Sequence, residues 1–291
     1  MLEKQLFELN EAIVLAQPND EKALNQTANN IMLGLSLFAF GLFKKNLFAD
    51  PLAIFTEQMF ASINANIEFN FFESLFTVWA FLIQLYFDFS AYSDMAIGLG
   101  LCFGLRFPIN FDSPLNAISF ADYISRWHIS LIAFNREYIF IPVSKLIVKL
   151  LKDKTSFNYY IAGTIATLSV YISIGFWHSP SLQFLFSGVF IGLVIIATQL
   201  FSFLYKRKYP MNFSFGYFGQ ILNRIKVLTV AATLGALLMI KDLASFKLLV
   251  MGFTKLNFQE IKECFYNATN GIGTDQSFSM IKKPIYLLGY Q

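Results

Sequence analysis

The chain carries two histidines, and each follows a tryptophan: Trp127-His128 in SRWHISL and Trp177-His178 in FWHSPS. Histidine changes charge near neutral pH and is the side chain most often used to move protons in catalysis. An alcohol is too weakly acidic to attack an acyl carbonyl unaided, so taking its proton is work a positioned histidine can do. His178 reads either as an interfacial histidine beside an interfacial Trp177 or as such a base. His128 reads either as a ring satisfied by a neighbouring carboxylate or carbonyl, or as part of the lining of a reaction site.

Ionisable groups gather around the first histidine. Residues 86–143 hold Asp88, Asp94, Arg106, Asp112, Asp122, Arg126, Arg136 and Glu137 among aromatics and glycines. Charges are costly in hydrocarbon, so there they pair, line a wet cavity or do chemistry. Asp88 and Asp94 stand six residues apart, which is not the three- or four-residue spacing of one helix face. They are expected to cap broken helix ends or to pair with Arg106, Arg126 or Arg136. Asp122 and Arg126 stand four apart and fit a helix-surface pair. Two histidines without nearby cysteines, and no HExxH, give no zinc site. GLGLCFG reads as an apolar helix run rather than a phosphate cradle. The two cysteines, Cys102 and Cys264, form no metal spacing, and Cys102 reads as a packed thiol.

These residues sit in a membrane-like chain. Of 291 residues, 56% are hydrophobic, 35 are Phe, and only 14% are charged, against roughly 25% in soluble domains. The fold class expected is all-α, a multi-span helical membrane protein. The net charge of +3 is spread in short clusters, which excludes the basic face or stripe of a nucleic-acid binder. The start, MLEKQLFELNEAIVLAQPNDEK, is acidic and lacks the basic and apolar regions of a secretory signal.

The elements that must position the histidines follow in order. Leu2, Leu6, Leu9 and Ile13 recur at helical spacing and predict a short amphipathic helix. Residues 31–43 form a short apolar run ending at Lys44-Lys45, extended by Leu47 and Phe48. Residues 71–105 predict a helix to about Phe87, a polar break at Asp88–Asp94, and a glycine-rich continuation. Pro108, Asn110, Asp112 and Pro114 mark 106–119 as a loop or re-entrant segment. Ser119 is the expected N-cap of a helix carrying Asp122, Arg126 and His128. Residues 129–151 are apolar but interrupted by Arg136, Glu137 and Pro142. Residues 159–205 read as a membrane hairpin with its turn at His178-Ser179-Pro180-Ser181. Basic clusters at both outer ends place those ends in the cytoplasm and the turn on the other side. Residues 227–240 are expected to cross outward, and 243–253 to be short and interfacial. Three parts follow: a surface segment at 1–30, a membrane domain at 31–255 and a polar tail at 256–291.

FDFSAYSDMAIGLG, LRFPINFDSPL, SRWHISL with REYIFIPV, and FWHSPS together resemble the membrane-bound O-acyltransferases, in the branch of the alginate O-acetyltransferases. The resemblance runs in order from about residue 34 to 255. It implies a partial fold of that type with broken or re-entrant helices. It implies His178 as the catalytic base, and His128 as a second active-site histidine that orients the acyl donor or polarises its carbonyl. Trp127, Trp177, Arg126, Asp122, Asp88, Asp94, Arg136 and Glu137 become lining or supporting residues, with Arg136-Glu137 standing where the family has Arg-Asp. The implied reaction moves an acyl group, acetyl in the first instance, to a cell-envelope polysaccharide such as alginate or peptidoglycan. No bound cofactor is implied; the donor would be acetyl-CoA or a carrier-bound acyl group. The implied setting is the bilayer of a bacterial inner membrane, with a periplasmic acyltransferase as partner.

The chain also departs from the family. Several membrane helices that usually precede residue 31 are not in the sequence, so an N-terminally truncated or split protein, with a separate chain supplying them, is one expectation. Ser179 replaces a glycine, and Val143-Ser144 replaces a glycine pair after Pro142. Two alternatives stand beside the enzyme. One is a transporter or channel using Asp88 and Asp94 on broken helices. The other is a non-catalytic subunit.

Overall fold

The computed structural model describes residues 21–151, 155–208 and 216–256. The expected amphipathic helix at Leu2–Ile13, most of the polar tail and Cys264 lie outside the described residues. The protein is an all-α, multi-span membrane protein. Among the described residues, five helical stretches are long and apolar enough to cross a membrane: Asn25–Asn64, Phe71–Cys102, Ser156–His178, Leu182–Phe201 and Gly216–Leu238.

The first stretch does not stop at its lysine pair. Helix α1 (Glu21–Lys44) passes through one π-helical turn (Lys45–Ala49) into α2 (Asp50–Asn64). It can continue because the two ammonium groups are answered from the next helix. Lys44 Nζ lies 2.5 Å from Asp94 Oδ2, and Lys45 Nζ lies 2.7 Å from Asp88 Oδ1 and 3.0 Å from Asp50 Oδ1. Lys44 also donates to Ser90 Oγ at 3.1 Å.

Helix α3 (Phe71–Cys102) is continuous for 32 residues, which corrects the expected break at Asp88–Asp94. The two carboxylates leave the helix intact because their partners are the lysines of α1 and its π turn, not helix termini and not arginines. The helix is started by a capping box: Asn70 Oδ1 accepts the Glu73 N–H, and Glu73 Oε2 accepts the Asn70 N–H, both at 2.9 Å. At Gly34 and Gly98 the backbones of α1 and α3 come so close that a Cβ on either would strike the other's carbonyl oxygen. Small residues permit such crossings in membranes.

A polar loop then leads to α4 (Phe120–Arg126) and α5 (Ile129–Asn135). A second π turn (Arg136–Phe140) joins α5 to α6 (Ile141–Leu150). The expected hairpin is present as α7 (Ser156–His178) and α8 (Leu182–Lys208). Its helices touch through Gly175 and Gly188, where an added Cβ would meet the Phe184 or Tyr171 carbonyl. Helix α9 (Gly216–Gly235) packs on α3 and α4, and α10 (Leu243–Gly252) on α2 and α3.

The core lies where α2, α3, α9 and α10 meet, with Phe60, Ile63, Val78, Phe81, Ala232 and Leu249 all nearly solvent-free. Two side-chain bonds tie the layers. Trp79 Nε1 donates to Thr229 Oγ1 at 3.0 Å, joining α3 to α9. The Gln183 amide donates to the Ile240 carbonyl, joining the start of α8 to the segment after α9.

Candidate active site

Short-range chemistry sets the first half of the site. Ser119 Oγ accepts the Asp122 N–H at 3.1 Å and starts α4 as expected. The Asp122 carboxylate takes the Arg126 Nε–H at 2.6 Å and the Ile118 N–H at 3.2 Å. Arg126 reaches on to the Asp112 carbonyl at 3.2 Å and lies 3.9 Å from the Asp112 carboxylate. The Arg126 hydrogen bond in particular holds the Asp122 pKa below the usual carboxylate value. This pair closes the ends of α4 and pins the loop before it.

The loop answers with its backbone. Asp112 N–H donates to the Arg126 carbonyl, and Ile129 N–H donates to the Asn110 carbonyl, each at 3.0 Å. Between them Phe111 and Trp127 form an antiparallel bridge, with their rings edge to face at 5.1 Å. Trp127 is also stacked on Tyr123 at 5.6 Å. His128 is therefore not on the helix that Ser119 starts, as expected from sequence. It follows the end of α4 in a left-handed conformation, φ 47° and ψ 53°, and is the N-cap of α5. That backbone region is sparsely used by residues other than glycine, though histidine tolerates it better than most, and it turns the ring out of both helices.

Asn110 holds the ring there. Its Oδ1 lies 3.0 Å from His128 Nδ1, and it also takes the Ser130 N–H at 3.2 Å and the Ser130 hydroxyl at 2.9 Å. Its Nδ2 donates to Ser93 Oγ of α3 at 3.3 Å. The imidazole and the Phe89 ring stand perpendicular, with centroids 4.6 Å apart. Burial first, and then the nearby His178, hold the His128 pKa below the ordinary imidazole value. Both effects favour the neutral ring.

The second half is simpler. His178 is the last residue of α7 and stands exposed, with its ring 5.0 Å from Trp177 and 6.3 Å from Phe184. No hydrogen bond from its side chain to a described residue is present. Trp177 is 63% exposed.

Both histidines line one cavity of about 230 Å³. Its wall is apolar and comes from α3, α4, α5, α7, α8 and the end of α9, with Phe89, Trp127, Gly188 and Leu238 among its members. The other expected site residues stand apart from this wall. Asp122 and Arg126 support it from behind the loop. Asp88 and Asp94 face α1. Trp177 is beside the cavity rather than in its wall. Arg136 and Glu137 are exposed on the second π turn, with no ion pair to a described residue. The paired state of Asp88 and Asp94 on an unbroken helix removes the feature on which the transporter alternative rested. No cluster of three metal-ligating side chains occurs among the described residues.

In the sequence Asn110 reads only as a turn residue, and nothing local marks it as a polar hub for His128. It lies eighteen residues from the ring it orients, and no periodicity reports a contact at that distance.

The comparisons with known proteins agree with this architecture. The family described as MBOAT, membrane-bound O-acyltransferase family, matches residues 11–239. A peptidoglycan O-acetyltransferase of Helicobacter pylori is 37% identical over 181 residues, covering 61% of this chain and 32% of its own length. A probable alginate O-acetylase of Pseudomonas syringae pv. tomato is 32% identical over 216 residues, covering 70% of this chain and 38% of its own. A teichoic acid D-alanyltransferase of Streptococcus thermophilus is 31% identical over 124 residues, covering 42% and 29%. The chain thus spans about a third of the length of these relatives. The chain belongs to the membrane-bound O-acyltransferase family.

Proposed function

We propose that the cavity is the site of an O-acyl transfer in which His178 is the general base. The observation that carries this reading is the meeting of two histidines from separate elements at one apolar cavity. His178 would take the proton of an attacking hydroxyl as its oxygen bonds to the acyl carbonyl carbon. The tetrahedral intermediate then collapses to the ester and expels the donor's leaving group, a thiolate for a thioester, which regains the proton. The apolar wall excludes water that would otherwise hydrolyse the donor. His128 would hold a reactant beside His178.

A cavity of this size suits a short acyl group rather than the nucleotide end of a coenzyme A thioester. The donor is therefore an acetyl or similarly small acyl group on coenzyme A or on a carrier, with the bulk of the donor outside. The names of the relatives share acyl transfer to envelope polymers. The acceptor is accordingly the hydroxyl of a cell-envelope polysaccharide, peptidoglycan or alginate first, in the membrane of a bacterium. A periplasmic acyltransferase that completes the transfer, and a chain that supplies further family helices, are the partners this reading allows.

The test is incorporation of labelled acetyl into envelope polysaccharide by cells carrying wild type, His178→Ala or His128→Ala at matched protein level, with the remaining family helices co-expressed. His178→Ala should remove nearly all incorporation and His128→Ala less. Equal incorporation by wild type and His178→Ala would overturn the assignment.

A further inference from the structure

The hydrogen-bond pattern at Asn110 decides which nitrogen of His128 carries the proton. The Asn110 atom that faces the ring also receives the Ser130 backbone N–H at 3.2 Å. A backbone N–H can only donate, so that atom is the amide oxygen and not the amide nitrogen. The amide nitrogen is accounted for separately, on Ser93 Oγ. An oxygen of this kind cannot donate. The 3.0 Å contact with His128 Nδ1 is therefore a hydrogen bond only when Nδ1 carries the hydrogen. Held neutral, the ring then has a bare lone pair on Nε2, which no described residue occupies.

We infer that Asn110 is a positioning residue that fixes His128 in its Nδ1–H form, so that His128 presents a hydrogen-bond acceptor, and not a donor, to the occupant of the cavity. The consequence for chemistry is specific and rests on the acyl-transfer reading above. A neutral His128 of this form cannot donate to the acyl carbonyl oxygen, so it cannot polarise it. It can accept from a hydroxyl. Its partner in the cavity is a neighbouring hydroxyl of the acceptor rather than the acyl donor, because the attacking hydroxyl has one hydrogen and gives it to His178. The left-handed backbone at His128 and the Ser130 bonds to the same oxygen keep this arrangement in place from both sides.

With two histidines in the chain, the ring nitrogens of the ¹⁵N-histidine-labelled protein give few signals, and His178→Gln assigns them. In the wild-type chain in detergent at pH 9, His128 Nδ1 should show a pyrrole-type shift and Nε2 a pyridine-type shift. Asn110→Ala should move His128 toward the Nε2–H form that predominates in water. Asn110→Asp keeps the acceptor oxygen and should keep the Nδ1–H form. Ser130→Ala removes a hydroxyl from the same hub but not the acceptor, and should leave the tautomer unchanged. In acyl transfer, Asn110→Ala should lose on the order of tenfold to a hundredfold, the range for partners that orient metal-bound histidines, and in kcat more than KM. Asn110→Asp should recover most of it. A pyridine-type Nδ1 in wild type would overturn the inference, as would an unchanged tautomer in Asn110→Ala. Should Asn110→Ala not fold, the wild-type and Asn110→Asp spectra still decide. A wild-type chain with the expected spectrum but no transfer would instead sink the acyl-transfer reading and leave the tautomer standing.

Discussion

The molecule presents the same dipeptide twice, in opposite settings. Trp127-His128 is held: its indole is packed between Phe111 and Tyr123, and its imidazole is bonded to Asn110. Trp177-His178 is free: its indole is 63% exposed, and its imidazole has no hydrogen-bond partner among the described residues. The first sits in a polar knot of loop and short helices, the second at the end of a 23-residue membrane helix. Two histidines with one environment would compete for one role. Two with different environments can divide the work, the fixed ring placing a reactant and the free ring moving a proton.

The sharpest way to break this division is to remove both rings. His178→Ala should lower acyl transfer by about a hundredfold to ten-thousandfold, roughly 3–5 kcal/mol of barrier. The double variant with His128→Ala should lose little more, because residues serving one step are not additive. A double variant whose losses multiply, read as acetyl incorporation, would separate the two rings into different steps.

The two indoles should differ in what they contribute to stability. Trp127→Ala should cost about 2–3 kcal/mol, below the ~3–5 of a fully buried aromatic because Trp127 is half-buried. Trp177→Ala should cost less than about 0.5 kcal/mol. Thermal unfolding in detergent measures both, and equal losses would contradict the packed-versus-exposed contrast. The α7–α8 contact comes next. Gly188→Val puts side-chain atoms against the Tyr171 carbonyl and should cost about 1–3 kcal/mol, with His178 displaced and transfer lost alongside.

The smallest effect belongs to the support of the fixed histidine. Arg126→Ala removes a pair that is partly exposed, so the unfolding midpoint should fall by no more than a few degrees. The folded pKa of Asp122 is lowered, chiefly by Arg126. Its contribution is therefore complete above the unfolded carboxylate value, about pH 4, and is lost as pH falls through the lower folded value. Below about pH 4 the wild-type midpoint should drop more steeply than that of Arg126→Ala, and parallel curves would remove Asp122 from the support.

What was legible in the sequence was local. The Ser119 cap, the Asp122–Arg126 pair, the hairpin and its histidine turn all follow from residues within four positions of one another or from an unbroken apolar run. What was not legible depended on distant partners. Asp88 read as a helix breaker because its partner Lys45 lies 43 residues away on another element. The run at Lys44-Lys45 read as short, reaching only to Phe48, for the same reason. His128 read as helical because its left-handed turn is imposed by the bridge to the 110–112 loop, not by its neighbours in sequence.

If a free and a fixed histidine share one cavity, their reactivity toward diethyl pyrocarbonate should differ while remaining coupled. Peptide mass spectrometry of the reconstituted chain would follow each ring, with and without acetyl-CoA. His178 should be modified faster than His128, and an acyl donor that fills the cavity should slow both together. Faster modification of His128, or protection of one ring alone, would contradict this.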